Sequence, residues 1–342
     1  MPIPRISTLP LAALAAATSL LASAACLAQS ASPIALNAQA TLAALQRPAV
    51  ASQLGPRSLL QAAAQAGPRL VSVGERGLIL LSDDAGATWR QAPCPVSVTL
   101  TAVRFADARH GVAVGHAGVV LTTTDGGEHW QLKLDGLKLA EIERRAANTP
   151  ADQQAAARLA ADGADKPWLD VLMADAQRLV VVGAYGLIMA SSDGGSTWQS
   201  WRQRLDNPRE LHLNSLRQRG AQWLIAGEQG LVLQSRDGGA SFERLRLPYA
   251  GSYFTAELPA DGSLLVAGLR GNAWRSADGG GSWQALASPV PVSITASALQ
   301  ADGSVLLANQ AGMVLRLTDG ALRPLALPPQ PPLTGLLPLS AD

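Results

Sequence analysis

Apolar residues in this chain come in short runs. RLVSVG (69–74), LILLSD (78–83), LTAVRF (100–105), HGVAVG (110–115) and VVLTTTD (119–125) are each bounded by Gly, Asp or Pro. Runs of four to eight residues with such boundaries predict strands rather than helices. The runs also repeat in a fixed order. A G-x-x-G turn is followed by an apolar run and then by a box: SDDAGATW (82–89), TTDGGEHW (123–130), SSDGGSTW (191–198), SRDGGASF (235–242) and SADGGGSW (276–283). The box aspartates Asp84, Asp125, Asp193, Asp237 and Asp278 are spaced by 41, 68, 44 and 41 residues, and a worn copy, LTDG (317–320), follows 41 residues later. Seven residues before each of these aspartates stands a glycine: Gly77, Gly118, Gly186, Gly230, Gly271 and Gly312.

Four short antiparallel strands per period of about 40 residues predict a β-propeller blade. Six units are visible, at about 59–95, 98–134, 168–205, 211–248, 253–288 and 293–328, and the last ten residues, LTGLLPLSAD (333–342), match the opening of a seventh. The fold class expected is therefore all-β. The one large interruption, 135–167, is rich in good helix formers, pairs Glu141 with Arg145 at i,i+4, and carries a helix-start signal at Thr149-Pro150. It predicts a small helical insertion.

The box reads as a joint. Its aspartate can accept from backbone N–H groups of its own turn, the glycine two residues on can take positive φ, and the aromatic can close the hairpin by packing inward. Trp89, Trp130, Trp198, Phe242 and Trp283 hold that last position. A catalytic reading would need several identical active sites with no partner acid or base at a fixed offset.

Composition narrows the classes further. The formal net charge is +1 with 15% charged residues, so no global field favours nucleic acid. The N-terminus reads as a secretory signal peptide over 1–28: Arg5, an uncharged small-residue run over 9–25, and a cleavage position behind Ala28. That predicts export to the periplasm, with lipidation at Cys26 as the alternative. Cleavage behind Ala28 leaves Cys94 as the sole cysteine, so no internal disulfide is expected. No other stretch is long and apolar enough for a membrane-spanning helix.

The box pattern S/T-x-D-x-G-x-T/S-W/F resembles the Asp-box, or BNR repeat, of sialidases, sortilin-like receptors and several glycosidases. The longer strings RLVSVGERGLILLSDDAGATW, LTAVRFADARHGVAVGHAGVVLTTTDGGEHW and VVVGAYGLIMASSDGGSTW are more specific. They resemble the photosystem II stability/assembly factor-like propellers, in particular their relatives in non-photosynthetic bacteria, over roughly 57–342. The resemblance implies seven blades. Residues 29–56 would then help to complete an irregular last blade, with six blades as the alternative.

In such a propeller the G-x-x-G turns ring one face and the boxes the opposite rim, and the insertion 135–167 falls on the G-x-x-G face. The candidate partner-binding residues are the variable residues of those turns: Glu75, Arg76, His116, Tyr185, Glu228, Gln229 and Arg270. A second candidate is the cluster Arg202, Arg204, Arg209, Arg217 and Arg219, although alternation along strands would split it between faces. The histidines His110, His116, His129 and His212 show no zinc-type spacing, and no metal or other cofactor is expected. Sialidase chemistry would need an arginine triad and a tyrosine nucleophile, with Tyr185, Tyr249 and Tyr253 as the available tyrosines. The expected function is an exported, monomeric, non-catalytic scaffold that binds protein. The resemblance implies help in assembling or stabilising a membrane protein complex, for which a transporter is one candidate. The alternative is a carbohydrate-binding or sialidase-like glycosidase propeller.

Overall fold

The computed structural model describes residues 43–339. The predicted signal peptide, Cys26, and residues 29–42 of the N-terminal segment lie outside the described residues. Among the described residues the strands form six four-stranded antiparallel sheets, each a simple meander in chain order. The first sheet comprises β1 (Leu60–Ala66), β2 (Arg69–Gly74), β3 (Ile79–Ser82) and β4 (Arg90–Gln91). The second comprises β5 (Leu100–Phe105), β6 (Gly111–Gly115), β7 (Val120–Thr123) and β8 (Gln131–Leu134). The third comprises β9 (Trp168–Met173), β10 (Leu179–Gly183), β11 (Ile188–Ser191) and β12 (Gln199–Ser200). The fourth comprises β13 (Leu213–Arg219), β14 (Gln222–Gly227), β15 (Val232–Ser235) and β16 (Glu243–Arg244). The fifth comprises β17 (Tyr253–Glu257), β18 (Leu264–Gly268), β19 (Ala273–Ser276) and β20 (Gln284–Ala285). The sixth comprises β21 (Ile294–Leu299), β22 (Val305–Asn309), β23 (Val314–Thr318) and β24 (Ala321–Pro324). The first strands of successive sheets, β1, β5, β9, β13, β17 and β21, pack side by side around the propeller axis.

Among the described residues six blades are complete, the alternative count, and the preference for seven is corrected. The reason lies at the axis. Each innermost strand carries a one-residue irregularity after its first residue, for example between Leu100 and Ala102 or between Leu213 and Ser215. In three of them the side chain of the residue in the irregularity reaches the next axial position: Thr101 Oγ1 donates to Trp168 O (2.7 Å), Asn214 Nδ2 to Tyr253 O (2.8 Å), and Thr295 Oγ1 to Leu333 O (2.6 Å). Thr334 continues the series, donating to Leu60 O at 2.8 Å. Residues 333–335 therefore occupy a seventh axial position between β21 and β1, with no sheet of their own among the described residues. The described part of the N-terminal segment runs elsewhere. It lies along the link between the first two blades, with Ser97 N donating to Ala44 O and Ala49 N to Cys94 O.

Apolar side chains fill the gaps between successive blades, and four of the five box aromatics enter or border the gap with the preceding blade. Trp130 packs with Val71 and Leu81, Trp198 with Val112 and Val120, and Phe242 with Val180 and Ile188. Trp283 borders the next cluster. Trp89 belongs to none of these clusters, because the blade that would precede its own is the incomplete seventh. Cys94 is buried and unpaired, and burial pushes its thiol pKa up to about 11, so it is inert.

The insertion folds as two helices, α1 (Gly136–Ala146) and α2 (Pro150–Asp162). Asp135 caps α1 through the backbone N–H groups of Leu137 and Lys138, and Thr149 with Asp152 forms a capping box on α2. Glu141 pairs with Arg145, as its spacing predicts, and with Arg144. Leu139 anchors α1 in the gap between the second and third blades. Among the described residues no helix is long and apolar enough to cross a membrane.

Candidate functional site

In an antiparallel meander the second-to-third strand turns share a face with the links between blades, and the box turns share the other. The G-x-x-G turns build the first face through two demands on the backbone. A Cβ at the leading glycine would collide with the carbonyl at the entrance of the blade's first strand, 2.3 Å from Leu59 O at Gly74 and 2.2 Å from Thr99 O at Gly115. The second variable residue takes the left-handed region in five turns, at Arg76, Ala117, Tyr185, Gln229 and Arg270, with φ between 52° and 58°. The sixth turn replaces its leading glycine by Asn309, whose Oδ1 accepts from the N–H groups of Ala311 and Met313.

Of the predicted face residues, Arg76, His116, Tyr185, Gln229 and Arg270 are exposed, while Glu75 and Glu228 are half-buried. The structure brings three of them together. Tyr185 N donates to His212 Nδ1 (3.0 Å), the two rings lie 5.0 Å apart, and Glu228 Oε1 accepts from His212 N (3.0 Å). Arg209 donates to the Gln229 side-chain oxygen Oε1, and Lys166 Nζ stands 4.9 Å above the Tyr185 ring. Glu75 and Arg76 share the first turn, and His116 and Arg270 stand on two others. The insertion leans on the same face: Gly118 N donates to Lys166 O, and Trp168 Nε1 to Gly118 O.

The arginine cluster does not form one patch. Arg204 stacks on Trp201, Arg209 meets Gln229, Arg219 bonds to Pro259 O, Arg202 pairs with Glu210, and Arg217 points into the axial channel.

That channel holds an ionic chain, its carboxylates buried and its guanidinium groups partly so, that the sequence reading missed. Asp170 on β9 bridges Arg104 of β5 (3.2 Å) and Arg217 of β13 (2.6 Å), and Arg217 faces Glu257 of β17 (3.5 Å), which accepts from Ser297 of β21 (2.7 Å). Burial works to raise the Asp170 pKa, yet the two guanidinium groups and the N–H groups of Leu216 and Val171 hold it below the ordinary range. Burial opposes the charge on Arg217, and Asp170 and Glu257 outweigh it, so its pKa is raised. The formal charges of the four groups cancel, and Arg104, Asp170 and Arg217 line an axial cavity of about 140 Å³. This chain ties four innermost strands together. The signal for it was the charged residues Arg104, Asp170, Arg217 and Glu257 within first strands, visible once the units are superimposed.

On the opposite rim every box aspartate is engaged by its own turn. Asp84 Oδ1 accepts from Thr88 N and Ser82 Oγ, and its Oδ2 from Thr88 Oγ1. Asp193 repeats this with Thr197 and Ser191, and Asp237 and Asp278 do so with Ser241 and Ser282. In the second box His129 takes the hydroxyl's place, its Nδ1 2.8 Å from Asp125 Oδ2. The Thr88 and Thr197 hydroxyls, with the N–H groups beside them, lower Asp84 and Asp193 to a pKa of about 2. Trp89, Trp130 and Trp198 each donate Nε1–H to the carbonyl of their own box glycine. Hydrogen bonds within their own turns thus fix both carboxylate oxygens of these acids.

Two of the three tyrosines are likewise committed. Tyr253 is fully buried and donates to Tyr249 O, and the Tyr249 hydroxyl reaches Leu269 O. Among the described residues no group of three or more His, Cys, Asp and Glu side chains is placed to hold a metal ion.

The sequence profile of the family described as photosynthesis system II assembly factor YCF48 matches residues 81–148 and 159–317, well over half of the chain. The chain belongs to this family. A stretch of 48 residues is 46% identical to the chloroplastic photosystem II stability/assembly factor HCF136 of Cyanidioschyzon merolae (strain NIES-3377 / 10D), covering 14% of this chain and 11% of that protein. The chain thus spans about a tenth of the curated relative's length in that match. Among solved structures, YCF48 bound to D1 peptide superimposes with a TM-score of 0.58 at 17% identity, covering 78% of this chain and 81% of the other. YCF48 from Cyanidioschyzon merolae gives 0.58 at 16% identity, covering 80% and 87%. The computationally designed protein Ika8 gives 0.53 at 15% identity, covering 80% and 73%. At these identities the superpositions speak for the fold alone.

Proposed function

We propose that this YCF48-family chain is an exported, non-catalytic propeller that binds a protein partner through its G-x-x-G face and assists the assembly or stability of a membrane protein complex. The observation that carries the reading is the division of labour between the two rims. Box side chains spend their hydrogen bonds within their own turns, whereas the opposite face presents Arg76, His116 and Arg270 to solvent beside a helical platform. Rigid turns offering varied exposed side chains around one axis suit protein recognition. The solved relative carrying a D1 peptide adds weight to a polypeptide ligand. Export rests on the N-terminal 28 residues, and a transporter stands as one candidate for the complex.

The glycan-binding alternative draws on Tyr185, the exposed aromatic of the turns. Its ring is already engaged by Lys166 and His212, so a sugar would have to displace them to stack there. The test is affinity recovery of the tagged protein from detergent-solubilised envelopes. The native chain should recover a defined membrane complex, and Arg76→Ala combined with Arg270→Ala should lose it while keeping the native unfolding temperature. Equal recovery by both would remove the face assignment.

A further inference from the structure

Beside the third G-x-x-G turn, the insertion and the loop after the third blade enclose a cavity of about 540 Å³. That is within the range of small-ligand sites, roughly 300–1,000 Å³. One wall is the C-terminal end of α1 and the start of α2; the other is the chain from Ser200 to Glu210. Four acids line it, Glu143, Asp152, Asp206 and Glu210, against a single base, Arg202. The carbonyl end of α1 adds negative potential from the same wall.

Arg202 is already spoken for. Its guanidinium lies 2.5 Å from Glu210 and 3.5 Å from Glu143 Oε2. Asp152 is used by the α2 capping box. Glu143 is different: only 6% exposed, it leaves Oε1 without any hydrogen-bond partner. A buried carboxyl oxygen lacking a donor costs free energy, and burial accordingly raises the Glu143 pKa, against the pull of the nearby Ser200 hydroxyl and Arg202. The last torsion of a glutamate is soft, so its carboxyl group can turn to meet a donor entering the cavity. Asp206 stands exposed at the mouth, and Glu210 holds a left-handed φ of 53° within the loop that shapes the wall.

We propose that this cavity is a subsite for a basic side chain, arginine or lysine, of a polypeptide partner, with Glu143 at its floor and Asp206 at its mouth. It rests on the reading of the adjoining face as a protein-binding surface and supplies that surface with a charge preference. A cationic donor satisfies Glu143 and offsets the excess of acids, whereas an anionic group meets four carboxylates.

The probe is N-acetyl-arginine amide, titrated calorimetrically into the full chain, with its neutral citrulline counterpart and putrescine in parallel. Saturable binding of the arginine amide is expected, at least about tenfold tighter than the citrulline amide. Glu143→Gln, which preserves shape, should weaken it by about tenfold, and Asp206→Asn, at an exposed position, by a smaller factor. Absence of saturable binding, equal affinity for citrulline, or affinity unchanged in both variants would overturn the subsite. Tighter binding of putrescine than of the arginine amide would assign the cavity to a free polyamine and overturn a peptide side chain as its occupant. A chain that recovers its membrane partner yet ignores the probe removes the subsite alone. One that binds the probe but recovers no partner removes the protein-binding reading and leaves the subsite standing.

Discussion

The interfaces between successive complete blades and the seam between the sixth and first blades are built by different means. Each complete interface is built on an apolar cluster, and the first four add a box aromatic from the following blade, as Trp198 shows among Val112, Val120 and Leu139; between the fifth and sixth blades Leu265, Leu307, Leu315 and Leu322 fill the gap without one. At the seam, polar contacts take over: Thr295 to Leu333, Leu333 N to Asn309 O, and Thr334 to Leu60. The exposed large apolar residues reflect the same asymmetry. Of the eight among the described residues, Val50, Leu54 and Leu59 lead into the first blade and Leu299, Leu327 and Leu339 belong to the last blade or the C-terminal segment, while Leu137 and Tyr185 lie on the insertion and the third turn. Apolar burial scales with area removed from water, whereas an exposed-edge hydrogen bond contributes little net free energy. The seam is therefore the weak interface, and opening should begin there.

That contrast can be broken or sharpened by substitution. Trp198→Ala removes an aromatic from a complete interface and should cost about 3–5 kcal/mol in denaturant unfolding. A loss below about 1 kcal/mol would mean that the box aromatics do not carry the interfaces. Asp170→Ala strands Arg104 and Arg217 in the axial channel and should also cost about 3 kcal/mol or more. Asp170→Leu combined with Arg104→Met and Arg217→Met should restore part of that loss, which thermal unfolding of the two variants would show. At the seam, Thr334→Ala should cost only about 1 kcal/mol. Hydrogen exchange should nevertheless show its effect concentrated in β1 and β21 rather than spread over all blades.

The smallest effect expected is from pH. Asp84, Asp125 and Asp193 have folded pKa values of about 2 against an ordinary 3.8. Depressed pKa values give stability that is fully present above the unfolded pKa and lost as pH falls through the folded one. The box contribution should thus be constant from neutral pH to about 4 and decline between about 4 and 2. Asp84→Asn should flatten that decline in a series of melting curves, and an unaltered profile would argue against the turn hydrogen bonds as its source.

The blades were legible in the sequence because their determinants are local. Strand length, the G-x-x-G offsets and the box all lie within one period, and the match of LTGLLPLSAD to a unit's opening foretold that Leu333 and Thr334 would sit at an axial position. The number of complete blades was not legible, since nothing local says whether three more strands exist to pair with that opening. The helix start at Thr149-Pro150 was readable from its cap, but the cavity beneath the helices was not. Glu143 and Arg202 are 59 residues apart, and only the return of the chain after the third blade brings them together. The axial chain of Arg104, Asp170, Arg217 and Glu257 was hidden likewise: each charge looks like an ordinary surface residue until the strands are stacked.

The central claim is that partners meet the G-x-x-G face and not the box rim. A photo-reactive amino acid placed at Arg270 in one variant and at Ala240 in another compares the two directly. After irradiation of intact cells, the variant at position 270 should give a defined cross-linked membrane protein and the variant at 240 none. A cross-link from 240 alone, or the same one from both, would contradict the assignment.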